Sequence, residues 1–160
     1  AQCLVGSEMC IRDRYWKQQG YLTVTSGNVT DYDYITADML RYADVVNIQS
    51  VGYDKYNATQ WAIDSTEQGL PLEEYPQTLG NFNMPTRELE RLILSGKAVI
   101  DNNEINRYCF RNVTLKSDYN GNVKPNKAVD KKKIDGTIAM IQALGMYLRN
   151  PRFSNEIITI

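Results

Sequence analysis

VVNIQSVGYDKYNATQWAIDSTEQG, residues 45 to 69, changes structural period partway along its length. Val46, Ile48 and Val51 are the β-branched members of a run that suits a pleated surface. The run reads as a strand from Val45 to Tyr53 that stops at Asp54. Asn57 then caps a helix from Ala58 to about Gln68, which Gly69 ends. A strand feeding a helix through a short turn is the unit from which α/β sheets are built.

The alternation continues outward on both sides. Upstream, residues 20–26 (GYLTVTS) alternate, are rich in β formers and predict a strand that turns at Gly27-Asn28. Thr30 to Asp33 carries an S/T-x-x-D capping pattern ahead of a helix to about Ala43, with Ile35, Met39 and Tyr42 on one face. Downstream, residues 70–78 read as a short extended segment in which Pro71 and Pro76 disfavour a central strand. Met84 to Gly96 reads as a helix with Pro85 near its first turn, Gly96 just past its end and a stripe of Leu89, Leu92 and Ile93. A short strand at Ala98–Ile100 and a helix over 103–111 follow, then a strand from Val113 to Lys116. Asn120-Gly121 marks a hairpin returning through Val123-Lys124. Over 133–149, Ile134, Ile138, Ile141, Gly145 and Leu148 recur at helical spacing until Asn150-Pro151. The whole predicts one α/β domain, a mixed sheet with helices on its faces and no internal repeat.

Composition narrows the chemistry. The 160 residues hold no histidine, which removes Ser-His-Asp and Cys-His catalysis and histidine-ligated zinc. Three cysteines without a CxxC spacing give neither a structural zinc site nor a disulfide framework, and fit reducing, intracellular surroundings. No apolar run approaches the roughly 18 residues of a membrane span. Net charge is −1, but it is unevenly spread: residues 15–100 carry six Lys/Arg against eleven Asp/Glu, residues 101–160 ten against six. The basic excess peaks at Lys124, Lys127, Lys131, Lys132 and Lys133. On charge alone this stretch is either a solvated loop or a contact for phosphate or nucleic acid.

Carboxylates without histidine suit hard, oxygen-loving cations such as Mg²⁺ or Mn²⁺. Two aspartates hold suggestive positions. Asp54 stands at the carboxyl end of a strand, where functional groups of α/β sheets gather, and it equally serves as a cap for the turn that follows. Asp135 falls in the first turn of the last helix, where the macrodipole stabilises any carboxylate by roughly 0.3–1 kcal/mol. Brought together, the two would contribute to a site for one or two divalent ions of the kind that clamps a phosphodiester. Such a site needs a further carboxylate that Asp31, Asp33 and Asp64 do not obviously supply, since each suits a cap or a helix surface.

Taken in order, several blocks resemble one family. GYLTVTSGNVTDYD (20–33), SVGYDKYNATQ (50–60), MPTRELERLILSGK (84–97), NGNVKPNK (120–127) and KIDGTIAMIQALG (133–145) are similar to consecutive stretches of the large subunit of tailed-phage terminases. The resemblance spans most of residues 15–149 and lies in the nuclease half of such proteins. It implies an RNase H-like fold, a mixed central sheet flanked by helices, with an acidic cluster binding Mg²⁺ or Mn²⁺. Carried over by motif, Asp54 matches the family's second catalytic and metal-binding aspartate and Asp135 its third. The first aspartate belongs to a strand ahead of the GYL block, and no such strand is found here. The implied partners are double-stranded DNA, the portal protein and the terminase small subunit, with no membrane. The implied setting is the host bacterial cytoplasm, at the procapsid portal. ATP belongs to the family's N-terminal domain, and no Walker A pattern occurs in this sequence. RYCFRN, residues 107–112, departs from the Arg-Trp-Met-like run usual at that place.

Where the first strand should stand, CLVGSEMCIRDR occupies residues 3–14 and follows no structural period. Residues 4–14 agree without a mismatch with one translated frame of a transposase-type sequencing-library adapter. The expected division is therefore 1–14 adapter-derived, 15–150 a partial nuclease domain with its first strand missing, and 151–160 an unassigned tail. Cys109 is then the one native cysteine, expected as a packed thiol. Two rivals remain at this point: another RNase H-like nuclease, related to resolvases or transposases, and a docking domain for DNA or portal whose carboxylates are structural.

Overall fold

The computed structural model describes residues 11–26 and 30–151. In chain order the elements are α1 (Ile11–Gln18), α2 (Tyr32–Ala43), β1 (Val51–Tyr53), α3 (Thr59–Glu67), β2 (Leu72–Glu74), α4 (Leu79–Leu94), α5 (Glu104–Arg111), β3 (Val113–Ser117), β4 (Val123–Lys127) and α6 (Asp135–Arg149). The expected mixed sheet takes form as two pieces among the described residues. β1 and β2 run parallel with Val51 beside Leu72, and β3 and β4 run antiparallel with Val113 beside Lys127.

Three predicted strands are shorter or absent, for one physical reason. Residues 22–25 form no ladder, yet their alternation still sorts side chains: Leu22 is buried and Val24 half-buried, while Tyr21 and Thr23 are exposed. Val45 to Ser50 likewise stays outside β1, with Val45 80% and Val46 55% exposed. Ala98–Ile100 forms no strand, and Val99 is exposed. Alternation predicts burial, whereas a strand also requires a neighbour to receive its hydrogen bonds. The turn expected at Gly27-Asn28 lies outside the described residues.

The helices follow the predicted order with shifted ends. Asp31, not Thr30, caps α2, its carboxylate accepting from the Tyr34 amide at 2.9 Å. The inward face of α2 centres on buried Thr36, and Tyr42 is exposed. Asn57 does not cap α3: it adopts φ +56° one residue before the N-cap Ala58, which makes no side-chain capping bond. Gly69 follows the α3 C-cap at φ +100°, as its placement predicts.

Helix α4 begins five residues earlier than expected, capped by the Thr78 hydroxyl, so Pro85 lies inside it rather than at its start. Proline has no N–H, so the carbonyl four residues back, on Asn81, loses its helical partner. The hydroxyl of Tyr75 donates to that carbonyl at 2.7 Å. Tyr75 is 1% exposed, and its ring lies directly over Gly145 of α6, where a built Cβ would sit 2.0 Å from the tyrosine oxygen. Gly145 thus lets Tyr75 pass, and Tyr75 completes the interrupted helix.

The core lies chiefly between α4 and α6: Tyr75, Phe82, Leu89, Ile141, Leu144 and Met146 are buried together. The Leu92 of the predicted stripe packs beside this cluster, whereas Ile93 is 41% exposed. A second cluster joins Trp16, Leu22, Ile105 and Cys109. Helix α1 thus starts inside the stretch expected to be adapter-derived and contributes a buried tryptophan; Arg12 lies over the rings of Trp16 and Tyr108. The Asp118 carboxylate accepts from the amides of Asn120 and Asn122 and from the Asn122 side chain, which organises the β3–β4 turn. Those bonds, the Asn122 side chain first, hold its pKa below the usual carboxylate value.

Candidate active site

Asp54 follows β1 directly and is half-buried. One of its carboxylate oxygens accepts from the Tyr56 amide at 3.2 Å, which satisfies the turn and fixes the side chain. The turn is held from α2 and α3. The Tyr32 hydroxyl donates to the Asn57 carbonyl at 3.1 Å, and the ring of Trp61 stacks on Tyr32 and meets Tyr53 edge-on. Thr36 joins the two helices: its hydroxyl donates to the Tyr32 carbonyl, so it accepts from the Trp61 indole at 2.9 Å and from Ser65 at 2.8 Å. Tyr32, Thr36 and Trp61 were absent from the sequence-level site, because threonine and aromatic residues at helical spacing read as ordinary core. Beside Tyr53 in the register stands Glu74, paired with Lys55 at 3.5 Å.

Asp135 is the first residue of α6 and is exposed. Behind it, Gly136 packs against Cys109 and Asn106 of α5. Cys109 is fully buried and free, as a packed thiol should be; burial, more than the nearby Asp135 carboxylate, raises its pKa.

The direction of β1 relates the two aspartates. Gly52 lies against Met146, while the Tyr75 carbonyl, one position past the β1–β2 ladder, accepts from Gln142 at 3.4 Å. β1 therefore points from the C-terminal half of α6 toward its N-terminus. Asp54 and Asp135 are displaced in the same direction, with Asp135 seven residues, about 10 Å of helix, beyond Gln142. Among the described residues no group of three or more His, Cys, Asp or Glu side chains is gathered to hold a metal. The donor chemistry fits Mg²⁺, since both carboxylates offer only oxygen. The donor number is short of the more than two carboxylates that a two-metal site needs.

The five lysines separate into two kinds. Lys124, on β4, is half-buried; its ammonium donates to the Gln77 carbonyl and lies 5.7 Å from the Phe82 ring centre. Lys127 at the end of β4 and Lys131, Lys132 and Lys133 before α6 are exposed, and Lys132 lies over Tyr108 at 5.7 Å. This second group leads directly into Asp135.

Helices packed on short parallel and antiparallel strands, with aspartates at one strand end and one helix start, outline a nuclease domain of the RNase H-like class. Residues 6–150 match the family model described as "Terminase large subunit, endonuclease domain", and the chain belongs to that family. The match begins within the stretch expected to be adapter-derived. Protein YmfN of Escherichia coli K12 is 33% identical over 152 residues, 91% of this chain and 33% of that protein. The large terminase subunit of Enterobacteria phage HK97 is 28% identical over 132 residues, 81% of this chain and 26% of that protein. The chain thus spans about a third or less of these relatives. The crystal structure of the HK97 large terminase superposes with a TM-score of 0.75 at 28% identity, over 84% of this chain and 29% of that one. The large terminase nuclease of thermophilic phage G20c with bound magnesium shares the fold, with a TM-score of 0.57 at 16% identity, over 74% of this chain and 62% of that one.

Proposed function

We infer that the chain is the nuclease part of a phage or prophage large terminase, which cuts concatemeric double-stranded DNA during genome packaging with the help of Mg²⁺ or Mn²⁺. The observation that carries this reading is the family match across residues 6–150. Asp54 and Asp135 are assigned as metal-holding carboxylates, joined by the family's first aspartate, which has no counterpart among the described residues. Asp54 and Asp135 would help to hold a divalent ion, which when bound would supply an activated water and stabilisation of charge on the scissile phosphate. Asp54 is kept rigid for that task by the Tyr56 amide and the Tyr32–Trp61 stack. Lys127, Lys131, Lys132 and Lys133 are assigned to phosphate contacts on the incoming DNA. Lys124 is spent on its own fold. The parent protein acts in the host bacterial cytoplasm at the procapsid portal, with the portal protein and the terminase small subunit as partners and ATP consumed by a separate domain.

With two of the carboxylates alone, the 160-residue chain is expected not to cleave DNA. Joining it to the strand that precedes the corresponding block in the HK97 large terminase should restore Mn²⁺-dependent nicking of plasmid, and Asp135→Ala in that fusion should abolish it. Persistent cutting by the Asp135→Ala fusion would overturn the metal assignment. Calorimetry on the same fusion separates a nuclease from a docking domain, since docking alone gives no specific Mn²⁺ uptake.

A further inference from the structure

A cleft of about 340 Å³ opens on the side of α5 that faces away from α1, at the low end of the roughly 300–1,000 Å³ usual for small-ligand sites. Its floor is apolar, made by Ile93, Ile100 and Phe110. Arg107 and Arg111 form one wall, four residues apart and so on one face of the helix. Both are exposed, and neither guanidinium makes a hydrogen bond, ion pair or ring contact among the described residues. Like charges at this spacing repel each other, and no ion pair among the described residues offsets that repulsion. The Asn102 amide lines the opposite rim, and Asp101 adds one carboxylate, already accepting from Asn103 at 2.6 Å. The family resemblance did not absorb this stretch: RYCFRN is where the sequence departs from the usual pattern.

We propose that this cleft binds one phosphorylated nucleotide unit, with its phosphate on the Arg107–Arg111 pair and its base on the Ile93–Ile100–Phe110 floor. Two adjacent guanidinium groups present paired donors to phosphate oxygens, which single lysines cannot. A phosphate alone gains nothing from an apolar floor, and an apolar ligand gains nothing from two unpaired cations; a nucleotide uses both. Asn102 offers an amide donor and acceptor at the rim to a base edge. The unit comes either from a free nucleotide or from a DNA strand, and only the second source rests on the nuclease reading. Asn106, on the adjoining wall, touches the α6 turn that carries Asp135, so a strand seated here would continue toward that turn.

The test is calorimetric titration of the 160-residue chain in EDTA with deoxyadenosine monophosphate, with inorganic phosphate and with a single-stranded oligonucleotide, each separately. Arg107→Gln/Arg111→Gln should weaken monophosphate binding by about tenfold or more, the scale of one or two charge-assisted hydrogen bonds. Asp101→Asn should strengthen it, and Lys116→Gln, an exposed cation outside the cleft, should leave it unchanged. All four positions are exposed, and circular dichroism should show each variant folded as the parent. Binding of the oligonucleotide only, lost in the double arginine variant, also supports the site and assigns it to a strand. The proposal is overturned if no nucleotide ligand binds, if inorganic phosphate binds as tightly as the monophosphate, or if the double variant binds like the parent. Because EDTA removes divalent ions, none of these outcomes depends on Asp54 or Asp135, and a failed metal site leaves the titration intact.

Discussion

The Tyr75 hydroxyl makes a bond that no regular element supplies, and its removal should be costly. Tyr75→Phe takes this partner from the part-buried Asn81 carbonyl and is expected to lower unfolding free energy by about 0.5–1.5 kcal/mol in urea. A loss of only a few tenths would mean that the carbonyl finds another donor. Gly145→Ala usually favours a helix by about 1 kcal/mol. Here the sign should reverse, because the new methyl would enter the tyrosine ring, and the loss should exceed the about 1–3 kcal/mol of ordinary overpacking. The hydroxyls of Thr86 and Thr137 are buried without a partner among the described residues. Thr86→Val keeps the shape and removes the unmet bond, so it should raise stability by about 1 kcal/mol; a measured loss would reveal a bound water. Cys109 gives a pH signature. Burial lifts its folded pKa above the roughly 8.5 of an unfolded thiol, so the folded state keeps a proton that the unfolded chain releases. That contribution is complete below the unfolded value and is lost as pH rises through the folded one. Urea midpoints should therefore fall between neutral and alkaline pH less steeply in Cys109→Ala than in the parent, whatever the variant's offset at neutrality.

At the scale of elements, α4 and the Tyr75 segment form one unit, and a double-mutant cycle exposes it. Proline inside a helix usually destabilises by about 3 kcal/mol, so Pro85→Ala would be expected to help. Here the Asn81 carbonyl already has a partner and Pro85 is itself buried, so the single change should bring little gain. In the Tyr75→Phe background the alanine restores an N–H to the same carbonyl, and the pair should be less damaging than the sum of the two single effects. Additive energies would sever the proposed link. Sequence could not disclose this unit, because a tyrosine six residues before a carbonyl carries no periodic mark. What it disclosed well was whatever local chemistry decides: the glycine after α3, the β3–β4 hairpin and the span of α6. It failed where the outcome depends on a distant neighbour. GYLTVTS has the alternation of a strand and the burial of one, but no ladder. The site was legible to the same degree. Position alone left Asp54 open between cap and ligand and favoured a helix-start role for Asp135; only the ordered family blocks argued for ligands at both, and the Tyr32–Thr36–Trp61 brace behind Asp54 needed coordinates.

At the scale of the whole molecule, the two sheets are small, and neither pairs with a further strand among the described residues. Each contains two strands among the described residues, and a two-stranded unit is marginal unless something packs on it. The α4–α6 core supplies much of that packing. Elsewhere apolar side chains meet solvent: Val45 at 80% exposure, Val99 at 79% and Leu94 at 82%. Unpaired strand edges beside exposed valines are templates for pairing with another chain. The 160-residue chain is therefore expected to self-associate, its sedimentation coefficient rising with concentration near neutral pH, where its net charge of −1 gives little mutual repulsion. Val46→Lys, at the exposed bend that follows α2 and away from both core clusters, should suppress that association without lowering the urea midpoint. A coefficient that stays constant across concentration would show that these edges are protected by the chain itself. Association undiminished by Val46→Lys would instead move the contact to the Leu94–Val99 side, beyond the C-terminal end of α4.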